Sequence, residues 1–569
     1  MKYNNTKIRD SFYLDKIAMA TSGYENGEII DLRTREGRER FLSKGEKIKN
    51  DGNGGLLYAR DMGNGDFEII NEELCNTLVY GSTGTGKTTR YQIMYTIFVA
   101  KQGKANIVVT STKDDNYNIL APILEGYGYE VKLISNKTGT ESSEGYNPLD
   151  PIVKKYKEDF EAIGRGIVVA DDGFEYKGRH FPTEKSLEEY LLFEQKSVRQ
   201  NAFNKVYELY VRLAPVESSK DPHWEKQGLT GKSILTSALI FSIFSLDMFR
   251  IRPEQVTIEN MGIIYDNWFR RKPRGGIDDR GYITRFKEIG SEFSDHYISN
   301  ASTTIQNYIS FLTGAIKHES ESFRKLTRYS TIDVEKDFGG DKKVAYFLIA
   351  DETKERSGEE FSFLVTNAIL EPLRDVADKS EGSALKRPVI FLLDEFANMP
   401  KNMQFVKLCS TCRSRNIHLH YLIQNEEQLD ALYGQMDSAT IKSNCSTQIF
   451  LGSNNEKCIR SFQERFGKRA YPTSNSLNIT ENGDAVYEFV ERPVVTYSEL
   501  ESVGDGVIYV KRDRGANLIS HLPAYYQIKE FVGERANLYQ YESQLSRMDT
   551  FYAIPTEESD DDDDDDDLF

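Results

Sequence analysis

The sequence contains, at residues 81–88, the stretch Gly81-Ser-Thr-Gly-Thr-Gly-Lys-Thr88, which fits the pattern G-x-x-x-x-G-K-[ST] at every fixed position. The short apolar run Thr77-Leu-Val-Tyr80 before it predicts a buried strand. After it, the helical spacing of Ile93, Ile97 and Ala100 predicts a helix. A glycine-rich loop between a strand and a helix is the setting in which this pattern binds phosphate groups.

The chemistry of the loop predicts a nucleoside-triphosphate site that uses ATP and Mg²⁺. Glycines let consecutive backbone N–H groups turn toward a polyphosphate, and the start of the helix adds partial positive charge. We expect Lys87 to reach the β- and γ-phosphates and Thr88 to be a ligand of Mg²⁺. The predicted nucleotide-binding residues are Gly81, Ser82, Thr83, Gly84, Thr85, Gly86, Lys87, Thr88 and Thr89. Guanine specificity is not favoured, because Asn136-Lys-Thr-Gly139 lacks the carboxylate that reads guanine.

Composition and charge set the broad class. The chain has 569 residues, which predicts two or three domains, and its net charge is −17. Any contact with nucleic acid must therefore come from a local basic lining. The polar N-terminus does not resemble a signal peptide, and the longest uncharged apolar stretch, Ser233 to Leu246, is shorter than the roughly 20 residues of a spanning helix. With only five cysteines, we expect a cytoplasmic protein without a transmembrane segment of its own.

Strands that alternate with helices predict an α/β fold with a mostly parallel sheet. Further apolar strands are predicted at residues 106–110, 130–134, 344–349, 388–393, 417–423, 447–451 and 506–510, and a β-hairpin at 54–70. The helical character between them predicts an inserted all-α domain. The sequence predicts a nucleotide-binding domain in two parts, 51–150 and 331–535, separated by the all-α insertion at 151–330. Residues 536–569 are predicted to form a disordered acidic C-terminal tail, and the role of residues 1–50 cannot be predicted.

Polar residues follow several predicted strands, and two acids stand out among them. Asp394 and Glu395 close the apolar strand at 388–393, the position at which an ATPase holds Mg²⁺ and activates water. We predict Asp394 as a second metal-binding residue and Glu395 as the general base. Gln424 ends the next strand and is predicted to sense the γ-phosphate and the attacking water.

A guanidinium from a neighbouring subunit would stabilise charge on the transferring phosphoryl group. Arg413 or Arg415 is the candidate, with Arg465 and Arg469 as rivals, and salt-bridging on a subunit surface is the alternative. With Lys87 and Gln424, these residues complete the predicted catalytic set of an ATPase: Glu395, Lys87, Gln424, Arg413 and Arg415.

Two other patterns point to structure more than to chemistry. Cys409 and Cys412 form a C-x-x-C without a second pair, so buried thiols are favoured over a zinc site. His418 and His420 alternate along a strand without a third ligand, which favours core positions over metal binding.

The sequence resembles the type IV secretion coupling proteins, the TraG-like conjugative DNA-transfer ATPases related to the FtsK/HerA translocases. The similarity includes the 81–88 loop, Tyr146-Asn-Pro-Leu149, Asp221-Pro-His-Trp-Glu-Lys-Gln227, Phe391-Leu-Leu-Asp-Glu-Phe-Ala397, Arg413-Ser-Arg-Asn-Ile417 leading to Gln424, and an acidic tail. It implies a RecA-like motor domain with an inserted all-α domain, assembled as a homo-hexamer around DNA. It also implies delivery of a relaxase–DNA complex, with the DNA single-stranded or relaxase-bound, to a secretion channel.

Relatives usually begin with transmembrane helices, which this sequence lacks, so a separate membrane-protein partner or a peripheral place at the inner face of the membrane is the expectation. Two other functions stay open: a nucleotide-controlled adaptor that recruits a relaxase-like partner without moving DNA, and a DNA-packaging ATPase of the same superfamily. The tail Asp560 to Asp567, followed by Leu568-Phe569, is either a solubilising run or a docking peptide.

Overall fold

The computed structural model describes the greater part of both halves of the chain. The described residues are 29–33, 58–61, 67–70, 74–135, 137, 143–213, 256–257, 326–328, 330–350, 365–399, 401–472, 478–479, 485–486, 489–513 and 517–527. The motif at 221–227 and the acidic tail at 536–569 lie outside them, as does most of the segment 1–50.

The chain divides into two compact units. One contains residues 1–135, 334–352 and 369–541, and the other contains 136–333, 353–368 and 542–569. The first unit is thus assembled from separate stretches of chain on either side of an insertion. The division falls near residues 136 and 333, compared with the predicted limits of 151 and 330.

A single large sheet forms the frame of the first unit. Its strands are β1 (Ile29–Asp31), β2 (Tyr58–Asp61), β3 (Phe67–Ile70), β4 (Thr77–Tyr80), β5 (Asn106–Ser111), β6 (Glu130–Ser135), and, after the insertion that carries β7 to β9, β10 (Val344–Ile349), β11 (Val389–Leu393), β12 (Ile417–Ile423), β13 (Thr447–Phe450), β18 (Val507–Arg512) and β19 (Asn517–His521). The short strands β14 (Lys468–Pro472) with β17 (Phe489–Pro493), and β15 (Asn478–Ile479) with β16 (Ala485–Val486), form two separate ribbons.

The strand order is β3-β2-β19-β18-β13-β4-β12-β11-β5-β10-β6, with β1 beside β19. All neighbours from β13 to β6 run parallel, whereas β18, β19, β2 and β3 add an antiparallel extension. The predicted mostly parallel sheet and the hairpin at its margin are therefore confirmed. Parallel pairing places the carboxyl ends of β4, β11 and β12 at one edge, where ligands bind in sheets of this kind.

Helices cover the sheet. In the first unit they are α1 (Ile93–Gln102), α2 (Asp115–Gly126), then, beyond the insertion that carries α3 and α4, α5 (Val334–Phe338), α6 (Glu371–Lys379), α7 (Met403–Cys409), α8 (Glu426–Tyr433), α9 (Gln435–Ser443), α10 (Glu456–Phe466) and α11 (Tyr497–Glu501). Helix α1 follows the phosphate loop and is buried from Ile93 to Ala100, against apolar side chains of β4, β5 and β11. The loop is therefore joined directly to a helix that is packed in the core.

The insertion contains helices α3 (Asp150–Ala162) and α4 (Glu184–Leu213), but it is not all-α in its described part. Three short strands, β7 (Val168–Ala170), β8 (Gly173–Tyr176) and β9 (Arg179–Phe181), form an antiparallel sheet there. Tyr176, Phe181 and Leu187 bury one another between this sheet and α4. Strands of three or four residues carry too little periodicity to be read from sequence, and packing on the helix stabilises them.

Candidate nucleotide site

The phosphate loop is fixed at its first residues by the carboxyl ends of neighbouring strands. The Gly81 N–H donates to the carbonyl of Ile423 at 3.1 Å, and the Ser82 N–H donates to the carbonyl of Gly452 at 3.0 Å. The Thr85 hydroxyl donates to the Ser82 carbonyl at 2.8 Å, which closes the turn. A side chain on Gly81 would begin 2.4 Å from Thr85 Oγ1, so the position requires glycine.

The middle of the loop is open to solvent and its end is not. Gly84 and Gly86 have left-handed backbones with φ of 86° and 96°, and Thr83 and Gly84 at the tip are exposed. The chain then enters a helical turn at residue 87, wide enough that the Tyr91 N–H donates to the Gly86 carbonyl. Thr89 lies in this turn, partly buried. The free N–H groups of an exposed turn at a helix start form an anion site.

Lys87 extends back across the loop. Its side chain is only 6% exposed, and Nζ donates to the Gly81 carbonyl at 2.7 Å. The same Nζ lies 3.7 Å from Glu395 Oε1. The ammonium therefore occupies the space between the loop and the acidic strand end, where the β- and γ-phosphates of a bound nucleotide would meet it.

The two acids follow β11 directly. The Thr88 hydroxyl donates to Asp394 Oδ2 at 3.4 Å, across 306 residues of chain. The Asp394 N–H donates to Thr110 Oγ1 at 3.1 Å, and its Oδ1 accepts the Glu395 N–H at 3.0 Å. Glu395 has a φ of 47°, a left-handed conformation that is unfavourable for a side chain of this kind and is typical of functional turns. A hydroxyl and a carboxylate at this distance are suitable ligands for Mg²⁺, which keeps several waters and binds few protein groups.

Glu395 is held by two amides. Gln424 Nε2 and Asn398 Nδ2 each donate to Glu395 Oε2 at 3.0 Å. For Gln424 the sequence predicts a role toward the γ-phosphate and the attacking water, which stays a prediction, and it predicts no role for Asn398. Asn398 lies three residues after Glu395 in a tight turn, where its own N–H donates to the Glu395 carbonyl at 2.8 Å. The spacing from an acid to an amide three residues later is the only sequence signal that could have indicated it.

The carboxyl of Asp394 is perturbed by its surroundings. Burial and the neighbouring negative charge of Glu395 raise the pKa of Asp394 to about 6, and the Lys87 ammonium opposes this shift. A divalent cation beside Asp394 would favour its charged form, because an adjacent positive charge lowers the pKa of a carboxyl. The site thus contains a carboxylate that is costly to ionise until a cation is present.

The two candidate arginines lie away from this cluster. Arg413 and Arg415 are in the turn that precedes β12, at the amino edge of the sheet, whereas Gln424 follows the carboxyl end of the same strand. The Arg415 guanidinium donates from Nε to Asp378 Oδ1 at 2.7 Å. Within one chain they do not approach Lys87, and a role toward a neighbouring subunit stays a prediction. The rival Arg465 is bound inside its own unit, and Arg469 lies in β14.

The histidines and cysteines of this region are core residues. Burial and the charge of Arg413 lower the pKa of His418 to about 4, and burial lowers the pKa of His420 to about 3. Both rings are therefore neutral, and His420 Nδ1 lies 2.9 Å from the Tyr91 hydroxyl. Cys409 and Cys412 are buried free thiols. Within the described part of the chain no group of three or more His, Cys, Asp or Glu side chains is placed to hold a metal ion.

A family of known proteins matches part of this chain. Residues 388–504 match the family described as the TraM recognition site of TraD and TraG, and this segment contains Asp394, Glu395 and Gln424. The chain resembles the type IV secretion coupling proteins. No curated protein matches it in sequence at a significant level.

Solved structures of a coupling protein share the fold. The bacterial conjugative coupling protein TrwBdeltaN70, in a trigonal form with sulphate, matches with a TM-score of 0.53 and 10% identity over 87% of this chain and 92% of that one. TrwB in complex with ADP and Mg²⁺ matches with a TM-score of 0.52 and 12% identity, over 90% of this chain and 96% of that one. TrwB in complex with ADPNP matches with a TM-score of 0.51 and 11% identity, over 91% of this chain and 94% of that one. The predicted RecA-like P-loop fold is therefore confirmed.

The coupling-protein resemblance carries an expectation about membranes. Among the residues that the structure describes, none of the helices combines the length and the apolar character that crossing a bilayer requires.

Proposed function

We propose that the protein is an ATPase motor that couples ATP hydrolysis to DNA transfer at a type IV secretion channel. The observation that carries the proposal is the meeting of the phosphate loop with the acidic end of β11: Thr88 contacts Asp394, and Lys87 lies beside Glu395. The TrwB structures that share the fold contain ADP with Mg²⁺ and ADPNP, which supports ATP and Mg²⁺ as the ligands of this chain.

The loop residues and Lys87 would bind the phosphates, and Thr88 with Asp394 would bind the metal ion. The loop from Gly81 to Thr88 offers N–H groups to the phosphates, and Lys87 exchanges the Gly81 carbonyl for phosphate oxygens. Thr88 and Asp394 would hold Mg²⁺, which neutralises charge on the phosphates when bound. The donor set fits: one hydroxyl and one carboxylate, with room for waters and phosphate oxygens as the remaining ligands.

The hydrolytic step falls to Glu395 and Gln424. Glu395 takes a proton from the attacking water through a carboxylate oxygen, and the Gln424 amide, now bonded to Glu395 Oε2, orients that carboxylate and the water. Asn398 holds the same oxygen from the solvent side. A guanidinium from a neighbouring subunit, Arg413 or Arg415, would stabilise the transferring phosphoryl group in a homo-hexamer.

The decisive experiment is the ATPase rate of the purified chain with and without single- and double-stranded DNA, across a salt series. We expect DNA to stimulate the rate and salt to weaken the stimulation, because phosphate contacts release counterions. The variant Glu395→Gln should lose about 100-fold or more in kcat while it still binds ATP, since general-base catalysis contributes about 10²–10⁴-fold. Glu335→Gln, at a carboxyl that is 71% exposed and far from the site, is the matched control. An ATPase rate that does not change with single- or double-stranded DNA would refute the proposed motor function.

A second function, a nucleotide-controlled adaptor that recruits a protein partner, is favoured by one observation. The family that matches residues 388–504 is described by its recognition of TraM, and the matched segment surrounds Glu395 and Gln424. A partner bound to this segment would lie close to the nucleotide, so its affinity would depend on which nucleotide is bound. In this case capture of the relaxase-like partner or channel protein should depend on nucleotide and persist in Glu395→Gln. The DNA-packaging alternative would instead show DNA-stimulated hydrolysis with no partner of the secretion system.

A further inference from the structure

Helix α10 carries Arg465, whose guanidinium contacts the residue immediately before the phosphate loop and makes several further hydrogen bonds. The Arg465 side chain is 22% exposed. Its Nη1 donates to the Tyr80 hydroxyl at 2.7 Å and to Gln448 Oε1 at 2.5 Å. Its Nη2 donates to Glu426 Oε1 and, at 3.2 Å, to Ser461 Oγ. One planar group therefore joins four separate elements: β4, β13, α8 and α10.

Three of these partners adjoin the nucleotide site in the chain. Tyr80 is the last residue of β4, immediately before Gly81, whose carbonyl accepts Lys87 Nζ. Glu426 is the first residue of α8, two positions after Gln424. The third partner, Gln448, lies on β13, the strand that leads to Gly452, and the Gly452 carbonyl accepts the Ser82 N–H.

The packing makes the arrangement stiff. The Arg465 guanidinium lies over the Tyr80 ring, with 5.5 Å between its carbon and the ring centroid, and 5.9 Å from the Phe462 centroid. Tyr80 and Phe462 meet edge to face with centroids 5.3 Å apart. Glu426 Oε2 also accepts Lys442 Nζ at 3.4 Å, so both of its oxygens are engaged. In this partly buried network the guanidinium has partners on several elements, so a shift of one member would weaken more than one hydrogen bond.

We propose that Arg465 is a positioning residue for hydrolysis: it fixes the start of the phosphate loop relative to Gln424. The inference rests on the proposed ATPase function. Gln424 contacts Glu395 at 3.0 Å, so a displacement of the first turn of α8 moves the amide that orients the general base. The guanidinium suits this task because its rigid fork reaches Tyr80 and Glu426 at once, which a lysine ammonium cannot do with the same geometry.

The experiment compares Arg465→Lys, Arg465→Met and Tyr80→Phe in the full chain, with kcat and KM for ATP as the readouts. Because small misplacements of catalytic groups cost up to about 100-fold in rate, we expect kcat to fall about tenfold in Arg465→Lys and Tyr80→Phe, with KM changed by less than about twofold. Arg465→Met should be slower still. Arg460→Met is the matched control: this arginine is on the same helix, 61% exposed and paired with Glu456, so its kcat should stay at the wild-type value.

A double-mutant cycle with Gln424→Ala identifies the route of the effect. If Arg465 acts through Gln424, then Gln424→Ala with Arg465→Lys should be no slower than Gln424→Ala alone; independent effects would multiply. A wild-type chain that does not hydrolyse ATP would refute the proposed function itself. An active wild type with full kcat in both Arg465→Lys and Tyr80→Phe, or with losses that follow only a lowered Tm and a raised KM, would refute the positioning role. Should Arg465→Met fail to fold, the other two variants decide.

Discussion

Removing the charge of Asp394 should stabilise the protein while it abolishes catalysis. Burial and Glu395 raise the pKa of Asp394 from its ordinary value of 3.8 to about 6, so its ionised form is disfavoured in the folded chain. The difference corresponds to about 3 kcal/mol of free energy of unfolding at neutral pH. In Asp394→Asn the amide oxygen can still accept the Glu395 N–H, which lies 3.0 Å from Oδ1 in the wild type.

The sign of the pH dependence follows from linkage. Between about pH 4 and pH 6 the folded wild type binds more protons at Asp394 than the unfolded chain does, so the wild type loses stability as the pH rises through this range. Asp394→Asn does not titrate there. The variant should therefore exceed the wild type by up to about 3 kcal/mol at pH 7 and by almost nothing at about pH 4.

Thermal unfolding without nucleotide, at several pH values, measures the effect. The unfolding entropy is about 2.1 cal/mol/K per residue, so in a unit of roughly 300 residues 1 kcal/mol shifts Tm by about 1.5 °C. The transition of the nucleotide-binding unit should therefore rise by roughly 4–5 °C at pH 7. Asp341→Asn is the control, because this carboxyl is 72% exposed and pairs with Lys386 at the surface. ATPase activity should be lost, since Asp394 is the predicted metal-binding carboxylate. A variant that melts at or below the wild-type temperature at pH 7 would refute the reasoning.

Three further changes test single contacts. Gly81→Ala should weaken ATP binding about tenfold, because the new methyl group would lie 2.4 Å from Thr85 Oγ1; unchanged affinity in a titration would show that the loop can move aside. Asn398→Ala should lower kcat about fivefold with KM unchanged, since Glu395 loses one of its two amide donors; a full kcat in steady-state assays would contradict this. Tyr421→Phe should raise the free energy of unfolding by about 1 kcal/mol in denaturant titrations, because its buried hydroxyl has no hydrogen-bond partner among the described residues; a destabilised variant would reveal a partner.

The sequence alone determined the local features of this protein. The phosphate loop could be predicted because its function needs fixed residue types at fixed spacing: glycine at 81 and 86, then Lys87 and Thr88. The strands of the sheet could be read because a strand buried on both faces is a continuous apolar run. Asp394 and Gln424 could be placed at the ligand-binding edge because each follows such a run directly, and parallel strands end together.

Contacts between distant segments were decided only by the tertiary structure. The order of strands in the sheet cannot be predicted from the sequence. In the structure β12 and β11 lie between β4 and β5, and this strand order brings Thr88 close to Asp394. The small sheet of β7, β8 and β9 exists because α4 covers it, and its strands are too short to show a period.

The same holds for single side chains. Arg465 appeared as a rival for a role toward another subunit, and only the packing of α10 against β4 shows that it binds Tyr80 instead. For Arg413 the sequence predicts a role toward a neighbouring subunit, and only the structure shows that the seven residues of β12 separate it from Gln424, at the opposite edge of the sheet. Spacing along the chain fixes local geometry, whereas the direction and order of strands depend on the free energy of the whole core.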